Sequence, residues 1–389
     1  MTKLGVYVQV PFCQTKCTYC NFHTGVVSTG RFAPYAAAVC KEIRGHRALY
    51  KAAGIALPQG FDRAAVDTIY FGGGTPSLLE PRLLASMIEA TRETFAADLN
   101  EVTLEADPET VDAGKAEAWV LAGVNRVSFG VQSFSDRELA AAGRMHRRAD
   151  IERAVPILRT AGIRNISFDL IAGLAFQTKE SWRESLEALR ELGPEHVSVY
   201  LLEVDEGSRL GKELLAGGVK YNAGAVPSDD EMADFYEMAC AFLAEAGYHH
   251  YEISNWAKPG FESRHNLKYW RRERYLGFGA GAHSFSGAQR WANAHDAAQY
   301  VAAIESGCLP VEQLEPVTRA SALEEELFLG LRQLDGIDVG RIEREYGVAL
   351  GERFGPLELA GLLERDGDVV RLAEKRLSVS NEVFVGLMR

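Results

Sequence analysis

The chain has 389 residues, a formal net charge of −12 and an isoelectric point near 5.4. This acidic balance argues against general nucleic-acid binding, which favours a basic surface. The length predicts two or three domains, and 47% apolar residues are enough to build sizeable cores. No apolar run reaches membrane-spanning length, and the first residues lead into a predicted strand without a signal peptide. We therefore expect a cytoplasmic protein.

The first predicted element is an apolar strand, Gly5–Val10, and a cysteine-rich loop follows it at once. The loop contains Cys13, Cys17 and Cys20, half of the six cysteines of the chain, in the spacing Cys-x3-Cys-x2-Cys. Three thiolates on one loop can hold one face of an iron–sulfur cluster. Because a cubane has four irons, three cysteines leave one iron open to another ligand. With His23 as a fourth ligand, the same cysteines could instead form a closed zinc site.

Strands and helices alternate from this loop to about residue 215. Each strand is mostly apolar along its length, which is typical of a parallel sheet covered on both faces. Six such units predict a partial (β/α)6 barrel over residues 1–215, rather than a closed eight-fold barrel. The predicted strands are Gly5–Val10, Val66–Phe71, Glu101–Ala106, Arg126–Val131, Asn165–Ile171 and His196–Leu202. The predicted helices are Phe32–Ala53, Pro81–Ala97, Val111–Ala122, Ile151–Ala161 and Lys179–Leu192.

The remaining residues predict two further domains. Residues 216–313 contain an amphipathic helix, Asp230–Glu245, and an aromatic-rich stretch, which together predict a mixed α+β extension. Residues 314–389 predict a small winged-helix-like domain of helices and a hairpin. Its acidic helices disfavour DNA, so we expect a role in packing or in binding a partner. The predicted helices of this domain are Ala320–Gln333, Val339–Tyr346 and Leu357–Glu364, and the predicted hairpin strands are Val369–Leu372 and Leu377–Val379.

Polar residues stand at the carboxyl ends of the predicted strands, where parallel barrels carry their chemistry. The second strand runs into Gly72–Thr75, where glycines let the backbone approach a ligand closely. Glu105 ends the third strand, Gln132 follows the fourth, and Asp169 lies in the fifth. Each could be a solvated or a satisfied polar group. An unpaired carboxylate inside an apolar run is costly, however, so these positions favour a shared ligand.

These motifs resemble those of a known family. The cysteine spacing, with an aromatic residue before Cys20, is similar to that of the radical S-adenosylmethionine (SAM) enzymes, in which the open iron chelates SAM. Further segments resemble the oxygen-independent coproporphyrinogen oxidase family and its haem chaperone branch, from Leu4 to the tail. This resemblance favours a cluster over zinc. The segments are Tyr7–Cys13, Gly72–Ser77, Glu105–Pro108, Gly130–Phe134 and Asp169–Leu174.

The resemblance implies a [4Fe-4S] cluster on the three cysteines and a SAM molecule beside it. An arginine suits the SAM carboxylate because it can pair with both oxygens, and short polar side chains suit ribose hydroxyls. The chain departs from the family at Ala175, where proline usually follows the leucine, and this affects the expected loop conformation only. The implied SAM contacts are Tyr7, Tyr19, Gly74, Thr75, Glu105, Gln132, Arg144 and Asp169.

Three features point to the chaperone branch of the family. The oxidases usually carry a fourth cysteine where this chain has Phe22, and a long N-terminal arm before the cysteine loop. The chain also has the His-Asn-x-x-Tyr-Trp motif of the chaperones, at residues 265–270. His265 could ligate haem iron. Tyr269 and Trp270 could contact the porphyrin plane, and nearby basic residues such as Lys268 could pair with the haem propionates. The same side chains could also be core or capping residues, and His283 is a second candidate ligand.

The resemblance therefore implies a haem chaperone that transfers haem to an acceptor protein, and this acceptor could be membrane-associated. We expect no nucleic-acid partner. One alternative is an oxygen-independent coproporphyrinogen III oxidase, which would decarboxylate its substrate through a 5′-deoxyadenosyl radical. The other alternative is a zinc-stabilised barrel with an interaction role only.

Overall fold

The fold is built on a twelve-stranded sheet, and a second sheet has three strands. The computed structural model describes residues 3–58, 60–61 and 64–387. The strands are β1 (Lys3–Val10), β2 (Ala65–Gly73), β3 (Ala97–Ala106), β4 (Arg126–Gln132), β5 (Asn165–Ala172), β6 (His196–Leu201), β7 (His249–Glu252), β8 (Asn255–Ala257), β9 (Tyr275–Phe278), β10 (His283–Phe285), β11 (Gln289–Asn293), β12 (Val311–Pro316), β13 (Ile337–Asp338), β14 (Leu363–Asp366) and β15 (Val369–Leu372). The helices are α1 (Phe32–Ala52), α2 (Pro81–Thr94), α3 (Ala113–Ala122), α4 (Asp136–Ala141), α5 (Arg148–Ala161), α6 (Lys179–Leu192), α7 (Arg209–Leu215), α8 (Asp229–Glu245), α9 (Arg264–Trp270), α10 (Ala297–Glu305), α11 (Arg319–Gly330), α12 (Val339–Tyr346), α13 (Gly351–Leu359) and α14 (Ser380–Leu387).

Strands β1 to β6 are parallel and adjacent in chain order, which confirms the predicted partial barrel. In β1, Val6, Val8 and Val10 are fully buried in the core. The residues between them alternate to the other face of the strand. There Tyr7 stacks on Tyr70 of β2, with ring centroids 6.0 Å apart. The barrel therefore has an apolar outer layer under the helices and a polar, aromatic interior.

The extension supplies the neighbours of both edges of this barrel. Strand β9 pairs in parallel with β1, and β10, β11 and β12 continue the sheet as antiparallel strands. At the other edge, β8 pairs with β6 and β7 pairs with β8, both antiparallel. Helix α8, which begins at its N-cap Ser228, leads the chain to this second edge. The segment predicted as an α+β extension thus shares one continuous sheet with the barrel.

The C-terminal part contains α11 to α14 and the sheet β13-β15-β14. A hairpin is present, but it joins β14 to β15 through Gly367, whose φ of 61° suits the turn. The helix predicted at Leu357–Glu364 is present only as far as Leu359, where α13 ends, because β14 occupies Leu363–Asp366. The predicted strand at Leu377–Val379 is wrong. Residues 377–379 lie in a 3-10 helix, because a short apolar run does not distinguish a strand from a helical turn. Among the described residues, every helix is too short or too polar to cross a bilayer.

Candidate functional site

The cysteine loop lies at the carboxyl end of β1, and backbone hydrogen bonds determine its path. The Cys13 N–H donates to the Gly25 carbonyl at 3.1 Å, which closes the loop on itself. The Thr18 N–H donates to the Ala142 carbonyl at 3.0 Å, beyond α4. The Thr18 carbonyl in turn accepts from the Leu210 N–H at 2.8 Å. Contacts from three parts of the chain therefore hold the loop over the barrel.

The glycine run after β2 packs directly against this loop. The Gly74 N–H donates to the Val10 carbonyl at 2.9 Å, and a Cβ at Gly74 would lie 2.5 Å from the Phe12 carbonyl oxygen. At Gly73, where φ is 108°, a side chain would collide with Gln9. From the sequence alone, the close approach of a ligand explained these glycines. The described contacts show that they also let two segments of the chain approach each other.

The three cysteines are each partly exposed on this loop. Burial is the main cause that raises the pKa of the Cys13 and Cys20 thiols above their ordinary value. Three soft thiol ligands on one loop fit an iron–sulfur cluster. The His23 ring, the fourth ligand of the zinc alternative, is stacked on His295 with ring centroids 3.8 Å apart. Among the described residues, no set of three or more His, Cys, Asp or Glu side chains is arranged to hold one metal ion.

Two half-buried carboxyl groups lie inside the barrel near its carboxyl end. Glu105 accepts hydrogen bonds from the Tyr70 hydroxyl at 2.9 Å and from the Gly73 N–H at 3.0 Å. Burial raises its pKa to about 7, and the nearby Asp169 carboxylate acts in the same direction. Asp169 accepts from the Ser128 hydroxyl at 3.1 Å, and burial raises its pKa as well. The strand ends thus bring the two predicted carboxyl groups into one electrostatic environment.

Tyr7 and Tyr19 approach this space from the first strand and from the cysteine loop. The Tyr7 hydroxyl donates to Gln9 at 2.7 Å, and burial together with Glu105 raises its pKa. Burial also raises the pKa of Tyr19, and the next largest cause is the Cys17 thiol. The predicted tyrosines therefore lie beside the carboxyl groups and beside the cysteines, respectively.

Arg144 joins the cysteine loop to the strand ends. Its guanidinium forms an ion pair with Asp107, donates to the Gly130 carbonyl at 3.0 Å, and approaches Cys17 Sγ at 3.5 Å. The Thr75 hydroxyl donates to the second Asp107 oxygen at 3.1 Å. Asp107 was missed in the sequence, although it stands one residue after β3 within the Glu105–Pro108 motif. It links the two predicted site residues Thr75 and Arg144.

Gln132 ends β4 in a backbone conformation that is unusual for a residue with a side chain. Its φ is 64°, in the left-handed region. A Cβ at Gly130 would lie 2.9 Å from the Gln132 amide nitrogen, so the amide is folded back over that glycine. Strain of this kind clusters at functional sites because surrounding contacts must maintain it. This conformation supports the selection of Gln132 as a site residue.

The His265 motif lies at the other end of the barrel. Helix α9 begins beside Glu101, which accepts from the His265 N–H at 3.0 Å. The imidazole is 0% exposed, and its Nδ1 shares a hydrogen bond with the Thr68 hydroxyl at 2.9 Å. Its Nε2 shares another with the Tyr269 hydroxyl at 2.8 Å. Burial lowers the pKa of His265 to about 3, so the ring is neutral.

This geometry does not favour the predicted haem contacts of the motif. Both nitrogens of His265 are engaged within the protein. Trp270 lies against the Arg332 guanidinium, 4.5 Å from the ring centroid. Lys268, one of the basic residues expected to pair with propionates, is buried in an ion pair with Asp67 at 2.8 Å. The sequence motif does not show how deeply its side chains are buried. In the structure, α9 covers the amino end of the barrel.

Comparison with known proteins connects this arrangement to a family. The model of the radical SAM superfamily matches residues 7–189, and that of the HemN C-terminal domain matches residues 317–375. The haem chaperone HemW of Bacillus subtilis is 34% identical over 386 residues, which cover 98% of this chain and 98% of that protein. HemW of Synechocystis sp. is 36% identical over 345 residues, or 86% of this chain and 79% of that protein.

Among solved structures, the coproporphyrinogen III oxidase HemN of Escherichia coli, a radical SAM enzyme, superposes with a TM-score of 0.83. The two chains are 23% identical, and the match covers 99% of this chain and 90% of that one. At this identity the likeness shows a shared fold. The relatives above one third identity over nearly the whole chain identify the branch. The chain belongs to the HemW family of radical SAM proteins.

Proposed function

We propose that this protein is a haem chaperone that binds haem and transfers it to an acceptor protein. The observation that carries the proposal is the 34% identity with a haem chaperone HemW, over 98% of both chains. The alternative function, oxidation of coproporphyrinogen III, is supported by the fold of a relative that is only 23% identical. Because one fold can host several functions, the whole-length sequence relationship has the greater weight.

A [4Fe-4S] cluster would be held by Cys13, Cys17 and Cys20. The partly exposed thiols and the backbone contacts of their loop support this assignment. When bound, such a cluster supplies one-electron chemistry at its open iron. Arg144 lies beside Cys17 and is oriented by Asp107, so its cation would stand next to any ligand of the cluster.

SAM would bind between this loop and the strand ends. Glu105 and Asp169 are half-buried and offer carboxyl oxygens to hydroxyl groups of a ligand. The pKa of about 7 lets Glu105 either donate or accept near neutral pH. The folded-back amide of Gln132 offers both a donor and an acceptor at the same rim. The proposed SAM contacts are Tyr7, Tyr19, Gly74, Thr75, Glu105, Gln132, Arg144 and Asp169.

A haem titration and a turnover assay on the same anaerobically reconstituted protein test the function. We expect the Soret band of added haem to shift with a saturable stoichiometry, and coproporphyrinogen to remain unchanged. Multiple turnovers of coproporphyrinogen would establish the oxidase instead. Metal analysis of the same sample should give about four irons per chain, the content of a cubane cluster. Stoichiometric zinc without iron would contradict the cluster.

A further inference from the structure

The nine histidines of the chain differ in whether an imidazole nitrogen is accessible to a ligand. A haem iron already has four porphyrin nitrogens, so a single accessible imidazole is enough to ligate it. His265 and His196 are buried, and each has both ring nitrogens hydrogen-bonded. Three others are enclosed by the protein as well as bonded to backbone carbonyls. His46 and His146 are buried, and the His250 ring stacks on Trp256 with ring centroids 3.9 Å apart. The histidines that remain are His23, His249, His283 and His295.

Three of these four lie together at the surface beside the cysteine loop. His23 follows Cys20 by three residues, and its ring stacks on His295 at 3.8 Å with an angle of 23° between the planes. The His295 ring in turn lies over Gly281, where a Cβ would be 2.8 Å from its Nδ1. His283 follows Gly281 by two residues and is exposed. It lies close enough to His295 and His23 for both to add to the effect of burial, which lowers the pKa of His283. We call His23, His283 and His295 the histidine patch.

The members of the histidine patch differ in whether their ring nitrogens already have a partner in the protein. His295 Nε2 faces the Glu312 carboxylate at 3.5 Å, which orients its ring. Within the described part of the chain, neither His23 nor His283 has a hydrogen bond to its imidazole, and both are exposed. Because His295 is oriented and His23 is stacked on it, the His23 ring is held in place while its nitrogens remain available. His23 is therefore the best placed of the nine to ligate iron.

The surroundings of His23 match the rest of a haem molecule. Phe22 and Val26 are 64% and 62% exposed, an apolar surface next to a polar loop. Aromatic and aliphatic side chains suit a porphyrin plane. The Lys16 ammonium lies 3.5 Å from the Phe22 carbonyl oxygen, so a cation stands beside the same surface. Such a cation can pair with a propionate.

We propose that haem binds at the histidine patch, with His23 as an axial ligand of the iron and His295 as the residue that positions it. This inference rests on the proposed haem-binding function and moves the haem site from α9 to the cysteine loop. It places the haem beside the proposed cluster rather than at the closed end of the barrel.

The test is a haem titration of His23→Gly, His295→Ala and a variant with all three patch histidines replaced. His249→Ala is the matched control, since His249 is exposed on β7, away from the patch. We expect His23→Gly to lose the absorption spectrum of His-ligated haem and to bind haem at least tenfold more weakly. Free imidazole should restore the spectrum of His23→Gly, as it fills the vacated ligand position. His295→Ala should weaken binding less, and His249→Ala should match the wild type.

Two outcomes overturn the inference in distinguishable ways. If the wild type binds haem and the triple variant gives the same spectrum and affinity, the patch is not the site although the proposed function stands. If the wild type shows no Soret shift at all, the proposed function itself fails. Iron content and far-UV circular dichroism of each variant show whether the loop and the fold are intact, so a misfolded variant is recognised before its spectrum is interpreted.

Discussion

The two ends of the barrel hold their polar side chains in different ways. At the amino end, His265 bonds Thr68 and Tyr269, and every polar atom of its ring is satisfied. At the carboxyl end, thiols are partly exposed, Gln132 adopts a strained φ of 64°, and Glu105 has its pKa raised to about 7. Fully buried groups with every partner in place stabilise a fold, whereas partly exposed thiols and a strained backbone mark a site.

A second histidine at the amino end repeats the arrangement of the first. His196 of β6 shares hydrogen bonds with the Ser167 hydroxyl at 2.7 Å and with the Tyr251 hydroxyl at 2.8 Å. In both cases a strand hydroxyl and a tyrosine of the extension enclose a neutral imidazole. Burial is the main cause that lowers the pKa of His196, and the Arg126 cation adds to it. The extension is thus joined to the barrel by two similar triads, one near each edge.

The largest effect should come from the carboxyl end. Replacing Cys17 by Ala should abolish the brown cluster chromophore, because two thiolates are insufficient to retain the cubane. Iron analysis and the visible spectrum of anaerobically reconstituted protein measure this loss. Cys308→Ala is the control, since Cys308 is exposed and lies outside the loop. A Cys17→Ala protein with full iron content would show that the loop is not the cluster site.

At the amino end, His265→Ala should act on stability and leave the ligands in place. It removes a buried ring and leaves the Thr68 and Tyr269 hydroxyls without their partner, so we expect a loss of about 2–5 kcal/mol in the free energy of unfolding. Tyr269→Phe, which removes one hydrogen bond only, should cost about 1 kcal/mol. Denaturant unfolding measures both. Loss of haem binding in a stably folded His265→Ala protein would return the haem site to α9.

Arg144→Ala should weaken SAM binding by about 1.5–3 kcal/mol, the range for a hydrogen bond to a charged group. The change also releases Asp107 from its ion pair and leaves that carboxylate facing the site. Calorimetry on cluster-loaded protein gives the affinity. Arg148→Ala serves as the control, because that arginine pairs with Glu152 on an exposed helix face. Equal affinities in the two variants would remove Arg144 from the SAM site.

The six barrel strands were predictable because their apolar runs and helical crossovers are local signals. Helix α6 begins and ends at the predicted residues, since Thr178 caps it and Gly193, with φ of 59°, ends it. The edge strands were not predicted, because β8, β9 and β10 have three or four residues each and depend on pairing with the barrel. Short strands of this kind are defined by their neighbours rather than by their own sequence.

The candidate site was predictable to the extent that it follows strand ends. Glu105 and Asp169 could be selected because a carboxylate in an apolar run is conspicuous. The burial of His265 was not predictable, since a motif does not show which side of a helix is buried. The stacking of His23 on His295 was equally inaccessible, because it joins the first loop of the barrel to the end of β11.

The smallest effect that separates the two ends is their opposite response to pH. Glu105 keeps its proton in the folded protein up to a pKa of about 7, whereas the unfolded chain releases it near the ordinary value of 4.5. Between these values the unfolded state binds fewer protons, so Glu105 makes stability fall as pH rises, by about 1 kcal/mol between pH 6 and 7. For His265, the change of stability with pH has the opposite sign. Its folded pKa of about 3 lies below the ordinary 6.5, so the unfolded state binds more protons and stability falls as pH falls below 6.5.

Urea unfolding of Glu105→Gln and the wild type across pH 5 to 8 separates these contributions. Glu105→Gln should lose about 1 kcal/mol of the decline between pH 6 and 7. Glu42 and Glu109, whose pKa values burial also raises to about 7, should keep their share of that decline. The decline on the acid side should remain, because His265 is unchanged. In His265→Gln the acid decline should become shallower while the neutral decline remains. The remaining acid slope in that variant belongs to the other buried histidines, of which His196 also has a lowered pKa. If Glu105→Gln instead retains the full decline above pH 6, the raised pKa at the carboxyl end belongs to another group. The contrast between the fully buried amino end and the partly exposed, strained carboxyl end would then have to be drawn without Glu105.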